Sequence, residues 1–328
     1  MALDQASQEF LQQLADLGAP AFHAMEPPAA RAFFAGLRDI IGEGPEVYQS
    51  KTINIYAVQA KIPLRILLPS EKPEGLIIYL HGGGWVVGEL DDYDTLGRLI
   101  ATESNCAVVL VDYRLAPEHR FPAAVNDSWA ATQWVASNQY QITGTTDKLP
   151  LIIAGDSAGG NLAAVIAQKA RDAKSPELLM QVLIYPVTQP DLDTPAYIAP
   201  SNQGLLTRED MGWFWNNYVP NPAHRENPEV SPLLNKNLSD LPPALIITAE
   251  HDVLSEEGAE YAQRLIKAGV EVCFRKYSGQ IHGFFSILRA LPESESARTF
   301  LVGVIRQRIA QFKNSRLALN DSEGSLIS

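Results

Sequence analysis

Residues 151–160, L-I-I-A-G-D-S-A-G-G, turn an apolar, strand-like run into a serine flanked by glycines, and a helix-like stretch, N-L-A-A-V-I-A-Q-K-A, follows at once. Gly155, Ser157 and Gly159 form the G-x-S-x-G pattern of a nucleophile elbow. A strand that bends this sharply into a helix holds the serine in strained backbone geometry, so its neighbours two residues away on each side must lack a Cβ. The bend lifts the Ser157 hydroxyl off the sheet edge. It also aims the unpaired N–H groups and positive dipole end of the new helix at the point where an attacked carbonyl would gather negative charge.

A second glycine cluster supplies partners for that charge. Residues 76–85 read L-I-I-Y-L-H-G-G-G-W, an apolar strand running into three consecutive glycines. Acyl transfer needs two or three donors converging on one oxygen, and the set expected here is the N–H of Gly83, of Gly84 and of Ala158, which follows the nucleophile. His81 is expected to organise the glycine loop through the backbone, and Asp156 to anchor a loop or join a salt bridge.

A serine nucleophile also needs a base and an acid, and after such an elbow they follow in the order Ser, Asp or Glu, His. Of six histidines, only His224, His251 and His282 come after Ser157. His224 sits in the proline-flanked polar run N-P-A-H-R-E-N-P, and His251 stands beside an acid rather than after one. His282, in Y-S-G-Q-I-H-G-F-F just past the alternating V-E-V-C-F-R-K-Y, is the expected base. The acid should leave the preceding strand, A-L-I-I-T-A at 244–249. Asp252 is the choice there, with Glu250 as the alternative.

The elements that must position these groups follow the same spacing. Strand-like and helix-like segments alternate from about residue 69 to 313, which predicts a mostly parallel sheet with helices on both faces. An antiparallel pair, T-I-N-I-Y-A-V at 52–58 and I-P-L-R-I-L-L at 62–68, leads it. Residues 1–44 carry two helix-like stretches broken by A-P and E-P-P, and the alternation fails again over 187–240, where T-R-E-D-M-G-W-F-W-N-N-Y reads as a helix. The expected organisation is therefore an N-terminal cap piece at 1–44, core at 45–186, a second cap piece at 187–240, core at 241–313 and a loose tail at 314–328. Trp85, Trp213 and Phe214, with Trp215 and Tyr218, are candidates for the substrate pocket, and packing on the core is the alternative for each.

Five motifs in order, H-G-G-G-W at 81–85, D-Y-R-L-A-P-E-H at 112–119, F-P-A-A at 121–124, G-D-S-A-G-G-N-L-A at 155–163 and Y-P at 185–186, together with H-G-F at 282–284, resemble the hormone-sensitive lipase family, the bacterial family IV esterases of the α/β-hydrolase superfamily. The likeness runs from about residue 45 to 310. It implies an α/β-hydrolase fold with a helical cap, a triad of Ser157, Asp252 and His282, and an oxyanion hole of the H-G-G-G glycines with Ala158. The implied substrates are soluble carboxylic esters with short to medium acyl chains, and no cofactor is implied. Where the family often reads D-P-L-R-D-E-G, this chain reads D-V-L-S-E-E-G from Asp252 to Gly258, losing a proline and an arginine but keeping the acid. Some relatives pair through the last strand and helix, so a homodimer is a further expectation.

Composition sets the outer bounds. The chain has 328 residues, 46% of them hydrophobic, enough for one α/β domain with a cap. A net charge of −12 without a basic cluster argues against nucleic acid or an anionic membrane as partner. Two cysteines, Cys106 and Cys273, are read as free thiols, and no metal-binding cluster is apparent. No leader or membrane span is read at the N-terminus, so the expected address is cytoplasmic. The same triad acting on amides, lactones, thioesters or acetylated molecules stays open, as does, more distantly, a non-catalytic receptor on the same scaffold.

Overall fold

The computed structural model describes residues 2–57 and 60–324. Eight strands form one sheet: β1 (Gln49–Ala57), β2 (Ala60–Leu68), β3 (Leu76–Leu80), β4 (Ala107–Val111), β5 (Leu151–Asp156), β6 (Met180–Ile184), β7 (Ala244–His251) and β8 (Val272–Ile281), in the spatial order β1-β2-β4-β3-β5-β6-β7-β8. The leading pair β1–β2 is antiparallel and joins β4 antiparallel, whereas β4-β3-β5-β6-β7-β8 run parallel. Val58, the last residue of the expected first strand, lies outside the described residues.

The central strands β3, β4, β5 and β6 are buried along their whole length, which is why they read as unbroken Leu, Ile and Val runs rather than alternating ones. Within β3, Leu76, Ile78 and Leu80 face one half of the core, and Ile77 and Tyr79 the other. The first half is covered by α5 (Ala123–Ser137), α7 (Ala158–Ala173) and α10 (Ser255–Lys267), the second by α4 (Leu90–Ser104) and α11 (Glu293–Gly324). A short helix, α6 (Gln139–Thr143), follows α5.

The two segments expected to form the cap carry α1 (Gln5–Asp16), a 3-10 turn at Phe22–Ala24, α2 (Pro27–Gly36), α3 (Arg38–Ile41), α8 (Pro195–Ile198) and α9 (Arg208–Tyr218). Pro27 starts α2, where its missing N–H costs nothing. Thr207 and Asp210 form a capping box at the head of α9, and Met211, Phe214, Trp215 and Tyr218 bury one stripe of it at helical spacing. The expected loose tail is different in the structure: α11 continues through Gly324. No proline or glycine interrupts 304–323, and Arg, Leu and Ala are good helix formers. Residues 325–328 of that segment lie outside the described residues. Among the described residues, no helix is long and apolar enough to cross a membrane.

Candidate active site

The parallel register brings the two glycine motifs together. Leu80 of β3 pairs with Gly155 of β5, so the loop at 81–84 leaves the sheet beside the turn at Ser157. Ser157 has φ 54° and ψ −119°, the strained elbow geometry, and α7 begins at Ala158. A Cβ on Gly155 would lie 2.3 Å from the Gly159 carbonyl oxygen, and one on Gly159 would lie 1.9 Å from that of Leu80. Both glycines are therefore demanded by backbone crowding, as their spacing predicts.

The structure joins Ser157, His282 and Asp252 into one hydrogen-bonded chain. Asp252 follows β7 directly and His282 follows β8, so all three leave the C-terminal ends of parallel strands. His282 Nε2 lies 3.0 Å from Ser157 Oγ, and its Nδ1 lies 2.8 Å from Asp252 Oδ2. The Asp252 side chain has no exposure to solvent, and its Oδ1 accepts the Leu254 N–H at 2.9 Å. Glu250, the alternative acid, lies within β7, because the strand runs on to His251 past an irregularity at Ala249. Its carboxylate accepts the Gly279 N–H at 2.9 Å. His224 is exposed in a 3-10 turn, and His251 Nδ1 faces the Ser201 carbonyl at 3.3 Å.

Asp156 braces the glycine loop from beneath. Its Oδ1 accepts from Tyr79 Oη and from the Gly82 N–H, both at 3.0 Å, and its Oδ2 accepts from Tyr93 Oη at 3.1 Å. Gly82 is thereby committed, and Gly83 and Gly84, with φ of 104° and 57°, are the glycines of this loop that line the cleft beside Ser157 and His282. Ala158 takes the first helical position of α7, whose N–H groups lack intrahelical acceptors. Burial pushes the Asp156 carboxyl up to about 6, against the pull of the two tyrosines, the nearby His282 and the Gly82 N–H. His81 stacks on Tyr113 with ring centroids 4.2 Å apart and bonds the Gly82 carbonyl through Nδ1 at 2.7 Å. Burial drives its pKa down to about 4, so at neutral pH the ring is an uncharged donor holding the loop.

The cleft above Ser157 is almost wholly apolar. Its open space, mouth included, is about 930 Å³, and its walls carry Phe22, Phe33 and Phe34 from residues 1–44 and Leu206, Met211 and Phe214 from residues 187–240. Of the five residues read as pocket candidates, only Phe214 is on this wall, and Trp215 and Tyr218 are fully buried in the core. Trp85 is a correction: its ring is fully buried and stacks on Tyr218 with centroids 4.3 Å apart, so it belongs to the core. Trp213 is a second correction. It packs edge-on against Phe214, centroids 5.0 Å apart, behind the wall rather than on it.

Sequence reading missed Tyr93, Tyr185 and the phenylalanines of the first cap piece. Tyr185, at φ 34°, sets its ring 4.6 Å from that of His282. The Y-P motif marked its position, but nothing local marked Tyr93 or Phe22. Among the described residues, no cluster of His, Cys, Asp or Glu could hold a metal ion.

Comparison with known proteins shows the family. A family model described as the alpha/beta hydrolase fold matches residues 77–286. Carboxylesterase NlhH of Mycobacterium tuberculosis (strain ATCC 25618 / H37Rv) is 42% identical over 241 residues, covering 72% of this chain and 75% of that protein. Ethyl acetate hydrolase of Pseudomonas putida is 36% identical over 255 residues, covering 76% and 79%. Among solved structures, a hyperthermophilic esterase from the archaeon Pyrobaculum calidifontis superposes with a TM-score of 0.87 at 37% identity, over 94% of this chain and 99% of that one. A thermostable esterase from Pseudomonas putida ECU1011 gives 0.85 at 36%, over 94% and 95%. The chain therefore belongs to the α/β-hydrolase superfamily and, within it, to the hormone-sensitive-lipase-like family IV of carboxylic ester hydrolases.

Proposed function

We propose that this chain is a serine carboxylesterase that hydrolyses short- to medium-chain esters through a covalent acyl-enzyme, with Ser157 as nucleophile, His282 as base and Asp252 as the acid that orients it. The observation that carries the reading is the unbroken Ser157–His282–Asp252 hydrogen-bond chain at the floor of an apolar cleft.

The Ser157 hydroxyl proton passes to His282 Nε2 as the serine oxygen bonds the ester carbonyl carbon. The charge that appears on the carbonyl oxygen is taken up by the N–H groups of Gly83, Gly84 and Ala158, each contributing about 3 kcal/mol to lowering the barrier. Buried Asp252 holds the Nδ1 proton and offsets the imidazolium charge. When the tetrahedral adduct collapses, the carbon–oxygen bond to the alcohol breaks and His282 returns its proton to the departing oxygen. Water then attacks the acyl-enzyme by the same route, with His282 first taking and then giving back one proton. The wall of Phe22, Phe33, Leu206, Met211 and Phe214 that closes over Ser157 supports substrates of modest size.

The test is initial-rate hydrolysis of p-nitrophenyl esters from acetate to palmitate, with Ser157→Ala beside the parent. Turnover that peaks at short or medium chains and vanishes in the variant is the expected result. Turnover that survives the substitution would place the chemistry elsewhere.

A further inference from the structure

The two cap pieces, far apart in sequence, meet at a polar contact whose geometry exceeds what local structure requires. His23, in the turn Phe22–Ala24, directs Nδ1 at Asp210 Oδ1 from 2.7 Å and donates its backbone N–H to the same oxygen at 3.0 Å. Asp210 is buried, with a side chain only 2% exposed. Its other oxygen, Oδ2, accepts the Thr207 N–H at 3.1 Å and the Thr207 hydroxyl at 2.8 Å, which completes the capping box of α9. Capping thus uses one carboxylate oxygen, and the other is given to a residue 187 positions away. A carboxylate this deep must find donors, so Oδ1 holds the turn firmly.

The residues beside this contact are the cleft wall. Phe22 directly precedes His23, and Phe214 lies one helical turn after Asp210, on the same side of α9. Both line the cleft, with ring centroids 5.4 Å apart. Phe22 is backed edge-on by Phe33 at 5.8 Å. Phe214 in turn lies on the glycine loop: a Cβ added to Gly84 would stand 2.1 Å from its Cδ1. A continuous run of contacts therefore leads from the polar pair, through two phenylalanine rings, to the loop that carries the proposed oxyanion donors.

We propose that His23 and Asp210 form a clasp between the two cap pieces that holds the Phe22–Phe214 wall closed and so sets the upper acyl-chain length the cleft accepts. Both are positioning residues, since neither touches a reacting atom. The proposal deepens the esterase reading above and rests on it for its kinetic test. With the side-chain bond gone and only the His23 backbone N–H left on Asp210 Oδ1, the turn at Phe22–Ala24 can swing away from α9 and lengthen the cleft, leaving Ser157, His282 and Asp252 undisturbed.

The experiment uses the full chain with His23→Ala and His23→Asn. The His23 side chain is 40% exposed, so its removal leaves no sealed cavity. In His23→Ala, kcat on p-nitrophenyl acetate should stay at the parent level while KM for the decanoate falls. The decanoate-to-acetate ratio of kcat/KM should then rise about tenfold. His23→Asn, whose side-chain N–H can still donate to Asp210, should return the parent profile. An unchanged ratio, or an equal loss on every chain length, would overturn the clasp. Hydrogen exchange at residues 22–25 in the Ser157→Ala background separates this from a failure of the esterase reading, because it needs no turnover. Faster exchange on adding His23→Ala is expected there, and equal exchange would overturn the proposal.

Discussion

Replacing Gly84 by alanine tests the proposed oxyanion hole and the cleft wall together. The added Cβ would stand 2.1, 2.3 and 2.5 Å from Cδ1, Cγ and Cε1 of Phe214. Carbon atoms settle at about 3.5–4.0 Å, so the ring or the loop must retreat by more than about 1 Å. The backbone adds a penalty of its own, because φ 57° costs an L-residue roughly 1–2 kcal/mol. The Phe214 ring is held by Phe22 and Trp213, so the loop is the element that yields, and the Gly84 N–H moves with it. Losing one such donor costs about 10²–10³ in kcat, or roughly 3–4 kcal/mol. Gly84→Ala should therefore lower kcat on p-nitrophenyl butyrate by about a hundredfold with KM little changed. Adding Phe214→Ala opens the space, so the double variant should regain about tenfold, a coupling that a double-mutant cycle reads directly. Near-parent turnover in Gly84→Ala, or purely multiplicative losses in the double variant, would refute the reasoning.

Two further substitutions probe buried carboxylates. Asp252→Asn should cut kcat by about 10³–10⁴ with KM held. The amide would present an N–H to Nδ1, forcing the imidazole proton onto Nε2, where Ser157 needs an acceptor; a loss of only a few-fold would count against Asp252 as the orienting acid. Glu257 is buried beside Asp252 and its carboxyl is pushed up to about 8 from an ordinary 4.5, first by desolvation, against the N–H groups of Thr188 and Gln189. Its folded-state pKa is raised, so its contribution to stability is full below about 4.5 and is lost as pH climbs through about 8. Thermal unfolding from pH 6 to 9 should show the parent losing more stability than Glu257→Gln, by up to roughly 3 kcal/mol, since about two pH units of the window lie in that range. Parallel curves would show that Glu257 does not titrate there.

What the sequence determined by itself was made by neighbours along the chain, although the helix that replaces the expected tail at 314–324 was missed. The elbow was legible because Gly155, Ser157 and Gly159 answer to one local turn, and the glycine loop because an apolar strand ends on Gly82, Gly83 and Gly84. The sheet and the order Ser157, Asp252, His282 were legible because buried parallel strands read as apolar runs. The tertiary structure decided whatever depends on groups brought together from distant segments. Asp252 rather than Glu250 faces His282 because β7 runs two residues further than its apolar run and β8 then draws Glu250 to Gly279. Trp85 follows the glycine loop in sequence, yet its ring stacks on Tyr218, which only α9 brings there. The cleft wall is the clearest case. Phe22 and Phe214 meet where His23 and Asp210 join segments 187 residues apart, and a contact across that separation leaves no periodicity for a sequence pattern to carry.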